Sequence, residues 1–111
     1  MEDGRLSMSI LLDLYGPLLT ERQRSCCEMY YNDDLSLSEI AEQLGSSRQS
    51  VWDNIKRSGE AMEEYEAKLS LSARMADLSS HLEAARQRLA NGDNAGAEQE
   101  IARAQDGIYG I

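Results

Sequence analysis

The segment from Leu35 to Arg57 restricts the fold of this chain more strongly than any other stretch of it. Two short amphipathic stretches flank Gly45, and glycine readily adopts the left-handed backbone conformation that a sharp turn between helices requires. Three matches to the Ser/Thr-x-x-Glu/Gln pattern of a capping box, which begins helices, stand at expected helix starts: Thr20 with Gln23, Ser36 with Glu39, and Ser46 with Gln49. The segment therefore predicts a helix-turn-helix.

The composition of the chain favours helices throughout. Its 111 residues include no Phe and one Pro, whereas Ala, Leu, Glu and Gln are abundant. Strong helix formers continue beyond Arg57, so we expect one long helix from about Ser47 to Leu69. The predicted fold class is all-α: a trihelical helix-turn-helix core with a long third helix, followed by a C-terminal helical hairpin.

Shorter elements are expected before the helix-turn-helix. Residues 1–6 look like a loose end, and Met8 to Tyr15 have the apolar spacing of a short helix that a Gly-Pro pair ends. A second helix would begin at Thr20 and end at the Asn-Asp-Asp sequence of residues 32–34. We expect a helix-turn-helix domain at residues 1–69 and a hairpin or oligomerisation tail at residues 70–111.

Two apolar stripes with heptad-like 4-3 spacing predict the tail hairpin. The first stripe contains Leu71, Met75, Leu78, Leu82, Ala85 and Leu89, and the second contains Ala97, Ile101, Ala104 and Ile108. The polar turn of residues 91–94 joins them, which is typical of two antiparallel helices. The stripes would serve either the hairpin's own packing or an oligomer or partner contact.

Charge and composition exclude several classes of function. No apolar run approaches the roughly 20 residues that a membrane span needs, and no signal peptide is visible. The adjacent Cys26 and Cys27 read as small apolar side chains of a reduced, cytoplasmic protein. His81, the only histidine, reads as a solvated residue beside the first stripe, so we expect no metal site, no cofactor and no catalysis. The net charge of −9 opposes the basic footprint of a strong duplex binder.

One face of the helix that begins near Ser47 remains a candidate for recognition. Val51, Ile55 and Met62 share a stripe at about 100° per residue, which we expect to be buried. In helix-turn-helix proteins, the first turns of the second helix meet base edges. The candidate nucleic-acid-binding residues are Ser47, Arg48, Gln49, Ser50, Asp53, Lys56 and Arg57.

The candidates have different expected roles, and Ser47, Gln49, Ser50 and Asp53 are expected near base edges. Gln49 can pair with adenine through N6 and N7, and Lys56 and Arg57 are better placed for phosphate. Arg48 flanks the buried stripe, where it could instead pair with an acid such as Glu39 or Glu42. Carboxylates on the same face would repel phosphate, which weakens the argument for nucleic-acid binding. The face could therefore also hold a protein partner, or the helix could serve only the trihelical core.

Several blocks of the sequence resemble the YlxM family. They are Tyr15–Gln23, Tyr30–Glu42, Ser47–Arg57 and Leu69–Leu71, in that order, and together the match covers about residues 8–71. The segment from Ser36 to Arg57 is also similar, more loosely, to region four of bacterial sigma factors, which reads promoter DNA. The acidic, Ala-rich residues after Leu71 depart from the family pattern.

The resemblance implies a cytoplasmic all-α regulatory protein without enzymatic activity, associated with the signal recognition particle pathway. Its expected partners are DNA or structured RNA, components of that particle, and a second copy of the chain in a homodimer. The alternative is a protein–protein adaptor that binds the targeting GTPase or its receptor without direct DNA contact.

Overall fold

The computed structural model of the chain describes residues 4 and 7–109 in full and the backbone of residues 2, 3, 5 and 6. Its α-helices are α1 (Glu2–Tyr15), α2 (Glu21–Cys27), α3 (Leu37–Leu44), α4 (Arg48–Leu69), α5 (Leu71–Ala90) and α6 (Asn94–Tyr109). A 3₁₀ turn spans Gly16–Leu18, and a π-helical turn spans Glu28–Asn32. The described residues contain no strand, and the predicted all-α fold class is confirmed.

The first helix is longer than the sequence predicted. Helix α1 begins at Glu2, so the prediction of a loose end is wrong for residues 2–6, and Met1 lies outside the described residues. Nothing in this stretch except Gly4 opposes a helix, and a single glycine costs only about 1 kcal/mol relative to alanine. The following turns of α1 bury Leu11, Leu12 and Tyr15, and this packing stabilises the whole helix.

The second helix ends where predicted, but its last turn is of a different kind. After Cys27 the backbone widens into the π-helical turn, whose end is marked by the bond from the Asp33 N–H to the Glu28 carbonyl at 3.0 Å. Asp34 then adopts a left-handed conformation with φ 59°, which ends the helix. Such π-turns change the direction of side chains relative to a regular helix, and periodicity alone did not reveal this one.

The turn of the helix-turn-helix is built as predicted around Gly45, whose φ of 65° lies in the left-handed region. The prediction that Ser46 is the N-cap of the following helix is wrong by one residue. Ser47, not Ser46, accepts the bond from the Ser50 N–H at 3.0 Å, and α4 therefore begins at Arg48. The Ser46 N–H instead closes the end of α3 on the Ala41 carbonyl, and the buried Ser46 hydroxyl has no hydrogen-bond partner.

Helix α4 packs against α1, α2 and α3, and the buried side chains around it form two clusters. The first cluster contains Leu11, Leu12, Tyr15, Cys27 and Met62. The second contains Cys26, Ile40, Ala41, Val51 and Ile55. Adjacent positions on a helix point about 100° apart, so the two cysteines enter different clusters, and both are free. Burial raises the pKa of both thiols.

The backbone contacts divide the chain into two compact units, the first ending at Leu69 and the second beginning at Ser70. In the second unit α5 and α6 form the hairpin. Its contact is made by small residues, since Ala85, Gly96, Ala97 and Ala104 are buried. Of the larger members of the predicted stripes, Leu78 is half-buried and the others are exposed: Leu71, Met75, Leu82, Leu89, Ile101 and Ile108. The alanines of the stripes therefore make the helix contact and most of the larger members lie beside it, because small side chains permit a closer approach.

A polar cluster is also built into the hairpin. His81 Nδ1 lies 3.0 Å from Glu100 Oε1, and Nε2 lies 3.6 Å from Asp77 Oδ1. Glu100 is buried, and Arg103 Nη1 lies 3.4 Å from its carboxylate. Hydrogen bonding to His81 lowers the pKa of Glu100. The prediction that His81 is a solvated flank residue is wrong, because it is half-buried and paired across the hairpin.

Candidate nucleic-acid interface

The orientation of α4 fixes which side chains are available for recognition. Val51, Ile55 and Met62 are buried, as the stripe on the sequence predicted. Ser58 lies on the same stripe, and its hydroxyl donates to the Asn54 carbonyl at 2.6 Å, so this buried polar group is satisfied. The side of α4 that carries the candidate residues is thereby turned away from the core.

All candidate residues lie at the start of α4 or within its first three turns. Ser50 is half-buried, and the other candidates are exposed: Ser47, Arg48, Gln49, Asp53, Lys56 and Arg57. The Ser47 hydroxyl is engaged as the N-cap of α4. It therefore serves the helix first, although a hydroxyl oxygen can hold more than one hydrogen bond.

Gln49 and Asp53 form a pair one helical turn apart. The Gln49 side-chain amide donates from Nε2 to Asp53 Oδ1 at 3.0 Å. This bond uses one of the two Nε2 protons and leaves the other proton and Oε1 for the two-point contact that an adenine edge offers. Asp53 consequently orients Gln49, a relation that the sequence pattern did not indicate.

The cations of the face are unpaired. Among the side chains that the structure describes, no carboxylate lies within 4.0 Å of Arg48, Lys56 or Arg57. The expected ion pair between Arg48 and Glu39 or Glu42 is therefore absent. Glu39 is instead held by its capping box with Ser36, whose hydrogen bonds lower the pKa of Glu39.

The face is divided into two shallow hollows. Ser47, Gln49, Ser50, Asp53 and Arg57 line one of them together with Asn54, which the sequence did not single out. Ser47, Arg48 and Gln49 line the other, next to Leu37 and Trp52. Lys56 lies in neither hollow and turns toward Trp52 and Glu60. The structure thus gathers six of the seven candidates and separates Lys56 from them.

Two further residues lie near the turn, and the sequence analysis singled out neither of them. Asn54 is four residues after Ser50, and its Nδ2 donates to the Ser50 carbonyl at 3.0 Å. Arg22, on α2, extends its guanidinium to the Leu44 carbonyl at 3.5 Å, which places a cation beside the end of α3. Helical periodicity points to Asn54, but only the packing of α2 against the turn reveals Arg22.

Comparison with known proteins identifies the family. The family model described as "Putative helix-turn-helix protein, YlxM / p13 like", UPF0122, matches residues 2–102. The chain belongs to this family. The resemblance seen in the sequence is thereby confirmed, and the family description agrees with the α3–turn–α4 arrangement of the structure.

Relatives in several bacteria match about two thirds of the chain. The UPF0122 protein of Halalkalibacterium halodurans is 55% identical over 74 residues, which cover 67% of this chain and 68% of that protein. The UPF0122 protein of Clostridium kluyveri is 57% identical over 69 residues, 62% of each chain. That of Staphylococcus haemolyticus is 56% identical over 66 residues, 60% of each chain. The chain therefore covers less than two thirds of the last two relatives.

Within the described part of the chain, no three His, Cys, Asp or Glu side chains are grouped so that they could hold a metal ion. No described helix is both long and apolar enough to cross a membrane.

Proposed function

We propose that this protein is a regulatory nucleic-acid-binding protein that contacts its target through the first turns of α4. The observation that supports this most directly is the open face that follows the left-handed turn at Gly45. That face carries Gln49 beside the unpaired Arg48 and Arg57, a combination suited to base edges and phosphates.

The net charge of −9 shapes the expected mode of binding. A local patch of few cations releases few counterions, so the affinity for a duplex should be modest and should fall less steeply with salt than that of a basic protein. The target can be DNA or structured RNA. All seven candidates belong to the proposed site: Ser47, Arg48, Gln49, Ser50, Asp53, Lys56 and Arg57.

The decisive experiment is a salt titration of the full chain against a labelled duplex DNA of random sequence and against a labelled hairpin RNA. We expect binding at low salt that weakens as salt rises, and at least about tenfold loss in Gln49→Ala/Arg57→Glu. The matched control is Gln105→Ala/Arg86→Glu, which changes two exposed hairpin residues by the same chemistry and should bind like the wild type. Absence of binding at low salt, or equal binding by both double variants, would overturn the proposal.

The second unit supports an additional role. We propose that residues 70–111 form a separate tail domain and that residues 1–69 form the helix-turn-helix domain. The exposed apolar side chains of α5 and α6 are suited to a homodimer contact or to a protein partner. Light scattering that gives a single-chain mass at micromolar concentration would contradict the dimer.

The tail also favours a second candidate function, that of an adaptor. In this alternative the hairpin docks on a component of the signal recognition particle pathway, the targeting GTPase or its receptor, without direct DNA contact. The pathway association and a cytoplasmic location rest on the family resemblance. The observation in favour of the adaptor is again the row of exposed leucines and isoleucines, which a nucleic acid does not require.

A further inference from the structure

A groove lies beside the candidate nucleic-acid face, between α1, the π-helical turn and α4. It has a volume of about 880 Å³, which is within the range of sites that enclose a ligand or a few side chains of a partner. Its floor contains Met8, Leu11 and Ile55, which belong to or adjoin the buried clusters. We call it the aromatic groove, because Tyr30, Tyr31 and Trp52 line it.

The three aromatic rings are arranged as a continuous wall. The ring centroids of Tyr30 and Tyr31 are 5.0 Å apart at an interplanar angle of 80°. Those of Tyr30 and Trp52 are 6.5 Å apart at 63°. Trp52 remains 40% exposed, an unusual state for the largest apolar side chain of a small protein. Tyr30 and Tyr31 are half-buried, and Trp and Tyr side chains beside an apolar surface are typical of interaction hot spots.

The charge at the rim selects the kind of partner. Glu60 and Glu63 line the groove, and both are exposed. Lys56 is the one cation among the described side chains that line it, so carboxylates outnumber it. A phosphate backbone would be repelled there, whereas a cationic side chain would gain both from the carboxylates and from the faces of the aromatic rings.

From these observations we propose that the aromatic groove binds a basic amphipathic helix of a protein partner. The apolar side chains of that helix would lie on Met8, Leu11 and Ile55. A Lys or Arg would lie against Trp52, within reach of Glu60 or Glu63. This proposal does not depend on nucleic-acid binding. Of the described residues that line the groove, only Lys56 belongs to the proposed nucleic-acid site, and only Trp52 also lines a hollow of that face.

The test uses the full chain and a labelled synthetic helix built from leucine and lysine on opposite faces. Trp52 is the only tryptophan, so a change in its emission reports occupation of the groove directly. We expect saturable binding of this peptide and no binding of the matched peptide in which glutamate replaces lysine. Charge reversal in Glu60→Lys/Glu63→Lys should weaken binding about tenfold or more.

The control for charge reversal is Glu42→Lys/Glu98→Lys, in which two exposed acids outside the groove are changed and the net charge becomes the same. If the carboxylates at the rim of the groove, and not the net charge, attract the peptide, this variant should bind the lysine peptide with an affinity within about twofold of that of the wild type. Trp52→Ala, followed by anisotropy of the peptide label, should weaken binding about tenfold, with circular dichroism verifying that the helices are retained.

Two results would overturn the proposal: equal weakening in the two charge-reversal variants, or binding of the glutamate peptide as tight as that of the lysine peptide. The variant Gln49→Ala/Arg57→Glu should leave peptide binding unchanged. Loss of nucleic-acid binding without loss of peptide binding, or the reverse, therefore separates this proposal from the proposed function.

Discussion

The two units of this protein use similar helix-forming sequences to make different kinds of interior. The first unit surrounds α4 with α1, α2 and α3, and large side chains such as Tyr15, Ile40 and Met62 are fully buried. The hairpin holds α5 and α6 together through alanine, glycine and a buried carboxylate, while its larger apolar residues face outward. A helix that is enclosed by several neighbours can bury bulky residues, whereas a pair of helices buries only a narrow strip of each.

This difference has a functional consequence. In the first unit most large apolar residues are buried and used for stability, and the exposed ones outside the aromatic groove, such as Ile10 and Leu18, are isolated along the sequence. In the hairpin the exposed apolar residues contribute little to the stability of the unit itself and are free for a partner. Substitutions that remove a similar number of atoms should therefore lower the free energy of unfolding by different amounts in the two units.

The largest effect is expected for truncation in the first core. Met62 is fully buried, so Met62→Ala should lower the free energy of unfolding of the first unit by about 3 kcal/mol. Leu82 is 50% exposed, so Leu82→Ala should cost the hairpin less than about 1 kcal/mol. Amide hydrogen exchange measured residue by residue reports the opening of each unit. Equal losses of unfolding free energy in Met62→Ala and Leu82→Ala would show that the two units do not differ in how they use large apolar residues.

A smaller effect is expected from overfilling the hairpin contact. Ala97 is 1% exposed, and Ala97→Leu would force α5 and α6 apart, at a cost of about 2 kcal/mol. Ala102 is exposed on the same helix, so Ala102→Leu makes the same chemical change without the crowding and should be nearly neutral. The measurement is again hydrogen exchange of the α6 amides. If Ala97→Leu exchanged as slowly as Ala102→Leu, close packing of small residues would not be what holds the hairpin.

Particular residues show how far sequence reasoning reached. The stripe of Val51, Ile55 and Met62 was predictable because helical spacing and burial are directly linked. Gly45 was predictable because few other residues tolerate its φ of 65°. The cap moved from Ser46 to Ser47 because the Ser46 N–H is used to end α3, and a capping-box pattern contains no information about that use.

The features that escaped prediction depend on contacts between distant parts of the chain. His81 and Glu100 are 19 residues apart, and their pairing follows from the register of the hairpin, which the apolar stripes did not define. The aromatic groove required the π-helical turn to bring Tyr30 near Trp52.

The smallest effect should be the pH dependence of the stability of the hairpin. It distinguishes the two units because the cluster of His81 and Glu100 belongs to the second unit. The hydrogen bond with His81 lowers the pKa of Glu100 from its ordinary value of 4.5. A lowered pKa in the folded state means that the ionised carboxylate stabilises the hairpin above about 4.5, and that this stability is lost as the pH falls through the lower folded value. Amide protection factors of α6 should accordingly decrease on acidification in the wild type.

Glu100→Gln should be less protected at neutral pH and should show a flatter pH profile, whereas Glu98→Gln, on the exposed side of α6, should follow the wild type. Parallel profiles for the wild type and Glu100→Gln would mean that Glu100 holds the hairpin by packing alone and that its charge has no part in the difference between the units.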